Sequence, residues 1–430
     1  MRNIYLTCLV SLVSAVAAAQ TAGDPVHIHV GRAGRTLVAV PDFVTAPGRE
    51  SLGAELTNVI RYDLEFTGLF DLLPDVRYPA GFTGFTSDSS KIDFQAWRDT
   101  KAEFVVYAYI TVEGDRLIAE CRLFELFAGQ QVVGQRLEAT HEWRRMLAHK
   151  FSDEIVLYLT GERGIATTQL CFSGGKTGSK EIYVVDYDGA NLRPATQHGS
   201  ISILPKFAPD GNRIAYVSFK DRYPFIYVLD LLTGKSTGVS KDVGMNVSPS
   251  WSPDGTQLAL ALSKDANAEI YVMGANGSGK RRLTQDRSLE TSPVFSPDGS
   301  RIAFVSDRAG GAQIYVMPAT GGSATRLSMQ GGQSMSPSWS PNGKQIAYVV
   351  ERGGYQVFVM DADGRNPRQL TTSGSNEAPS WSPDSRHVVF SSNRTGRAQL
   401  WTVNVEIGEE RPVPNIELMS QGPSWGPRRQ

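Results

Sequence analysis

A five-residue motif recurs six times in the second half of this 430-residue chain, and its spacing restricts the fold more than any other feature. It reads Phe207-Ala-Pro-Asp-Gly211, Trp251-Ser-Pro-Asp-Gly255, Phe295-Ser-Pro-Asp-Gly299, Trp339-Ser-Pro-Asn-Gly343, Trp381-Ser-Pro-Asp-Ser385 and Trp425-Gly-Pro-Arg-Arg429. The central prolines, 209, 253, 297, 341, 383 and 427, step by 44, 44, 44, 42 and 44 residues. A second motif keeps the same beat: Ile182-Tyr-Val-Val, Ile226-Tyr-Val-Leu, Ile270-Tyr-Val-Met, Ile314-Tyr-Val-Met, Val357-Phe-Val-Met and Leu400-Trp-Thr-Val. A period of about 40 to 50 residues filled with short strands is the signature of β-propeller blades.

The chemistry of each copy fits a blade. Proline presets φ for the first turn position, aspartate tolerates the next and glycine accepts positive φ, so Pro-Asp-Gly reverses the chain tightly. A short strand ending in an aromatic residue precedes it. An almost unbroken apolar run follows, such as Arg301-Ile-Ala-Phe-Val-Ser306, as expected for a strand covered on both faces. The Ile-Tyr-Val strand comes next, and then a basic outer strand such as Lys280-Arg-Arg-Leu-Thr284. Each repeat therefore supplies four strands.

The two motifs run out of phase. The Ile182 strand has no pentapeptide before it, and Trp425 has no Ile-Tyr-Val strand after it. Both ends are accounted for if the C-terminus supplies the inner strand of the blade that Gln169 to Gly189 begins. The ring then closes on itself, whereas an open solenoid would leave both halves incomplete. The expected fold is mainly β, a six-bladed propeller over residues 165–430.

The first part of the chain lacks the repeat. Arg2, the apolar stretch Ile4 to Val16 and Ala17-Ala18-Ala19 form a signal peptide over residues 1–19, with a mature start at Gln20. The stretch is shorter than the roughly 20 residues a spanning helix needs, and no later run is long enough, so the mature chain is not expected to span a membrane. Residues 20–160 read as a small α/β domain with an N-terminal arm. Thr36 to Val40 is a strand, and Glu50 to Thr67 is a helix with Leu52, Leu56, Val59, Ile60 and Leu64 on one stripe. Phe104 to Glu113 and Arg116 to Phe127 form a hairpin about Gly114-Asp115. Glu142 to Leu159 is a second helix with Trp143, Leu147, Phe151 and Ile155 on its buried face. Gly161-Glu-Arg-Gly164 is the linker.

Little in the chain suggests catalysis. Lys and Arg total 43 against 44 Asp and Glu, so no basic excess is present to hold nucleic acid. Gly331-Gly-Gln-Ser-Met335, in an interblade loop, lacks the last glycine of the nucleophile elbow Gly-x-Ser-x-Gly, and the propeller leaves no room for the separate hydrolase domain such an elbow serves. His27 and His29 share one face of a strand without an evident third ligand, and the turn aspartates are explained by turn geometry. No cofactor or catalytic residue is expected. The channel leaves room for a cation in principle. Cys121 and Cys171 read as buried thiols in separate domains, and His198 and His387 as surface or satisfied residues. The competing function is a propeller enzyme or carbohydrate-binding module, which would need carboxylates paired across the channel.

The loops feeding the inner strands converge about the axis on one face, where propellers commonly bind. There Met245, Asn246, Ser248, Thr291, Met335, Ser336 and Glu377 form the expected partner-binding surface, small and polar with two adaptable methionines. At the other end of the chain, Gln20 and Thr21 lead into Val26, Ile28 and Val30. That alternation suits a strand adding to a sheet edge, so these five residues are the candidate arm contacts.

Taken together, the Trp-Ser-Pro-Asp-Gly blades, the linker Leu159-Thr-Gly-x-x-Gly164, the Asp186-Tyr-Asp-Gly189 turn and the helix Leu56 to Gly68 resemble the TolB family over nearly the whole mature chain. The resemblance implies a non-enzymatic periplasmic adaptor of the Tol–Pal system. It further implies that the propeller contacts the outer-membrane lipoprotein Pal and that the N-terminus contacts the inner-membrane protein TolA. The role implied is outer-membrane integrity and invagination during division.

Overall fold

The computed structural model describes residues 34–86, 88–175, 178–329 and 331–429. The leader, the arm residues Gln20, Thr21, Val26, Ile28 and Val30, and the pair His27 and His29 lie outside the described residues.

The first domain is a sheet backed by two helices. Its elements are β1 (Thr36–Ala39), β2 (Val44–Thr45), α1 (Glu50–Phe66), β3 (Phe70–Leu72), α2 (Phe94–Asp99), β4 (Phe104–Glu113), β5 (Arg116–Glu125), β6 (Gln130–Thr140) and α3 (Arg144–Thr160). The strand order is β3-β1-β4-β5-β6, with β2 also on β4. β1 pairs in parallel with β3 and β4, while β4, β5 and β6 form an antiparallel meander. The stripe Leu52, Leu56, Val59, Ile60 and Leu64 is buried against Leu147, Phe151 and Ile155 of α3 and the inward residues of β4 and β5.

Trp143 departs from the expected pattern. It lies in a single 3-10 turn, His141–Trp143, ahead of α3 and is 53% exposed. The α-helical stripe therefore begins at Leu147. β6 escaped the sequence reading because its alternation is carried by Val132, Val133, Leu137 and Ala139 between polar residues, and those apolar side chains are only half-buried. At the edge of the sheet a strand needs little apolar burial, which weakens the pattern.

The propeller is six four-stranded antiparallel sheets. In the closing blade, Met419–Trp425 pairs with Gln169–Gly175, which pairs with Glu181–Asp186 and then Arg193–Pro194. One blade is thus built from both ends of the propeller segment. The expected six-bladed, mainly β architecture with a small α/β domain ahead of it is the observed one. Each inner strand starts on what we call the loop face and runs to its pentapeptide on the turn face.

Every inner strand carries a bulge the sequence reading did not anticipate. Leu204, Ser248, Ser292, Ser336 and Ala378 have φ of 54°, 54°, 50°, 52° and 53°, and Gly422 has 60°. At each one the ladder to the second strand slips register. A left-handed conformation costs a non-glycine residue roughly 1 kcal/mol or more, and bulges re-aim side chains at the rims of closed sheets. The sequence signal is the proline that follows each of these residues.

Candidate protein interface and the domain junction

The residues assigned to the partner surface divide into two groups. Met245 (42% exposed) and Glu377 are exposed on the loop face, and Thr291, Met335, Ser248 and Ser336 are half-buried beside them. Asn246 is fully buried and does not present a surface. Its amide donates to Asp242 O (2.8 Å) and Gly244 O, and its Oδ1 accepts from Ser240 Oγ and Asp242 N, so it holds its own loop. A first strand residue points between blades, where a polar side chain must satisfy the loop backbone.

The same strand position acts alike in other blades. Glu290 is fully buried and accepts from Ser306 Oγ (2.8 Å) and Arg308 Nη2 (2.8 Å); burial raises its carboxyl above the usual range, against the lowering effect of Arg308. Asn376 bonds Gln356, Ser373 O and Arg394. The nearby buried Glu269 is held by Arg282 Nη2 at 2.7 Å. These carboxylates are thus committed to guanidinium partners. Among the described residues no group of three or more His, Cys, Asp or Glu side chains is placed to hold a metal ion.

With the loops anchored, apolar groups stand out on this face. Ile201, Tyr223, Val243, Met245, Leu289, Met329 and Met419 are 40% to 87% exposed, and all lie in loops or strand starts of the loop face. Among the described propeller residues, the other large exposed apolar side chains are Leu232 and Ile407, on the turn face. Exposed apolar groups concentrated on one face mark a site that associates with another surface.

The first domain sits on the turn face, against the closing blade and its neighbour. Phe66, at the end of α1, is 5% exposed and lies edge-on to Tyr187 (5.0 Å) and over His387 (4.6 Å). The open carbonyls at the α1 C-terminus are capped from the propeller: His387 Nε2 donates to Phe66 O (2.9 Å) and Asn404 Nδ2 to Thr67 O (3.2 Å). His387 is thus buried with its Nε2 bonded to the other domain, while its Nδ1 lies 3.4 Å from Asp384. Cys121 and Cys171 are buried free thiols in separate cores.

Beneath this contact lies a buried polar cluster. Asp63 of α1 accepts from Tyr187 Oη and faces His149 Nδ1 of α3 at 2.9 Å. His149 Nε2 lies 3.6 Å from Asp188 of the propeller, and Asp188 also pairs with Arg145. His149 is fully buried. Burial alone would depress its pKa, but the carboxylates of Asp63 and Asp188 outweigh burial and Arg145 and leave it raised. When His149 is neutral with Nδ1 protonated, a lone pair on Nε2 faces a carboxylate. Protonation thus joins α1, α3 and the propeller.

A pH prediction follows. A raised folded pKa contributes stability below the unfolded value, about 6.5, that is lost as pH rises through the folded value. The wild-type melting temperature should fall, relative to His149→Gln, as the pH rises above about 6.5. Parallel pH profiles of the two proteins would remove His149 from the junction's energetics.

The chain matches known proteins along both domains. Residues 157–429 match the family described as TolB beta propeller domain, and residues 25–132 the TolB amino-terminal domain. A Protein TolB homolog of Chlorobium chlorochromatii is 36% identical over 51% of this chain and 50% of its own length. A Tol-Pal system protein TolB of Ruegeria sp. is 35% identical over 54% of each chain. The chain thus spans about half the length of the curated relatives it matches. The crystal structure of TolB from Acinetobacter baumannii is 26% identical and superimposes with a TM-score of 0.81, covering 92% of this chain and 97% of that one.

Proposed function

The chain belongs to the TolB family, and from that footing we propose that it is a non-enzymatic adaptor of a periplasmic Tol–Pal system. In this reading the loop face of the propeller docks a Pal-like outer-membrane lipoprotein, and the segment Gln20 to Val30 engages a TolA-like inner-membrane protein. The pair of contacts supports outer-membrane integrity and invagination at division.

The observation that carries the reading is the concentration of exposed apolar side chains on the loop face, around Met245, Leu289 and Met329. That face lies opposite the α/β domain, so a partner docks there without displacing it. Buried anchors such as Asn246 and Glu290 hold the loops in place, which lowers the ordering cost of association. Among the described residues no helix is long and apolar enough to cross a membrane.

The test uses a triple variant, Met245→Glu, Thr291→Glu and Met335→Glu. Met245 lies in a loop, whereas Thr291 and Met335 are half-buried near the starts of inner strands, so the triple change should cost about 1 to 3 kcal/mol in stability; charges at the centre of a desolvated interface cost far more in binding. The wild type should retain the lipoprotein Pal from a detergent-solubilised envelope extract, and the variant should lose it with a melting temperature within a few degrees of wild type. Retention of Pal by a folded variant would place the contact elsewhere. Deleting Gln20 to Val30 should abolish TolA binding and spare Pal; TolA bound as before would exclude the arm.

A further inference from the structure

The axial channel between the bulges and the Pro-Asp-Gly turns encloses a cavity of about 540 Å³, within the range of small-molecule sites, about 300 to 1,000 Å³. Its wall is made of prolines, serines and aromatic rings, and it contains two cations, Lys206 and Arg428, and no carboxylate. This is unexpected in a chain whose overall charge is −1.

Lys206 replaces a residue that does a local job elsewhere. At the same strand position, Ser380 Oγ accepts from Trp425 N (3.0 Å) and Ser424 Oγ accepts from Phe207 N (3.2 Å), each bonding the next inner strand. Those bonds direct the side chain at this position toward the neighbouring strand along the channel. Lys206 makes no hydrogen bond or ion pair with its ammonium among the described residues. Its ionisable neighbour is the Cys171 thiol, which burial pushes up to about 12 and keeps neutral. Desolvation lowers the lysine's own pKa, as expected of a cation without a counter-charge.

The second cation is not neutralised either. Arg428 Nε donates to Gly164 O (2.6 Å) and Nη2 to Arg163 O (2.7 Å), which are backbone carbonyls and leave the charge uncompensated. The tryptophans of the wall spend their N–H groups on the protein: Trp251 Nε1 donates to Lys206 O and Trp381 Nε1 to Ser338 O, both at 3.0 Å. What they turn to the cavity is apolar ring surface.

We infer that the channel cavity is a binding site for a small amphipathic carboxylate, its anion on Lys206 and its apolar body against the proline and tryptophan wall. A partly desolvated ammonium without an acceptor is stabilised most by an anionic one, and charge-assisted hydrogen bonds of this kind are the stronger class. Ser248 and Ser336 of the partner surface form part of the cavity's rim, but the ligand test below is made on the chain alone and does not depend on the adaptor reading.

The probe is 4-phenylbutyrate, with neutral 4-phenyl-1-butanol as its comparison, followed by calorimetry and by intrinsic tryptophan fluorescence. Lys206→Ser installs the residue type found in four other blades and should fold normally. The wild type should bind the carboxylate saturably and about tenfold or more tighter than the alcohol, with quenched tryptophan emission. Lys206→Ser should lose that preference while binding the alcohol as before. No saturable binding to the wild type, or an unchanged preference in Lys206→Ser, would overturn the inference.

Discussion

Removing Met419 to Gln430 should lower the melting temperature by at least about 10 °C, or leave the protein insoluble. The segment is the inner strand of the closing blade, paired along Gln169–Gly175 from Met419 to Trp425. Its loss exposes the long edge of the second strand, a template for aggregation. It also removes Trp425, which is 7% exposed, packs near Phe66 and His387 (both 6.4 Å), and donates to Thr168 Oγ1 (2.8 Å). Because a truncated chain can fail to fold outright, Trp425→Ala is the informative companion. It keeps the strand and should cost about 3 to 5 kcal/mol, read as a shift of the denaturation midpoint. A midpoint within error of wild type for Trp425→Ala, together with an unchanged melting temperature for the truncation, would show that the ring does not rely on its terminal strand.

Phe66→Ala should uncouple the two domains rather than unfold either one. The ring is the apolar centre of the junction, among Tyr187, His387, Trp425 and Ile165, and its truncation leaves a void worth roughly 3 to 5 kcal/mol. The α/β core between α1, α3 and the sheet does not include it, whereas on the propeller side Phe66 caps the core between the closing blade and its neighbour, beside Leu170, Val185, Val389 and Leu400. Scanning calorimetry of the variant should resolve two transitions where the wild type shows one, with the lower belonging to the α/β domain. A single transition at the wild-type temperature would mean that the polar cluster of Asp63, His149, Tyr187 and Asp188 suffices to join the domains.

Much of the architecture is legible before any coordinates. A pentapeptide at intervals of 44 residues, offset from an Ile-Tyr-Val motif of the same period, already requires six blades closed by both ends. That inference works because turn chemistry and apolar alternation act locally and are repeated six times. The same locality explains the stripe of α1 and the hairpin about Gly114. It also explains why β6 was missed, since an edge strand with half-buried apolar residues carries a weak version of the signal.

The division between sequence and tertiary structure runs through particular residues. Sequence alone determined the blade count, the closure, the order of domains and the face on which Met245, Thr291, Met335 and Glu377 come together, because these depend on period and strand direction. Only the tertiary structure decided which of those residues are surface and which are anchors. Asn246 and Met245 are adjacent in the chain, yet one is fully buried between blades and the other 42% exposed. It also decided that Asp63, His149 and Asp188, separated by 86 and 39 positions along the chain, share one buried cluster, and that Lys206 stands in a cavity without a counter-charge. Burial and charge pairing depend on what distant segments bring to the same place, and a pattern read along the chain carries no record of that.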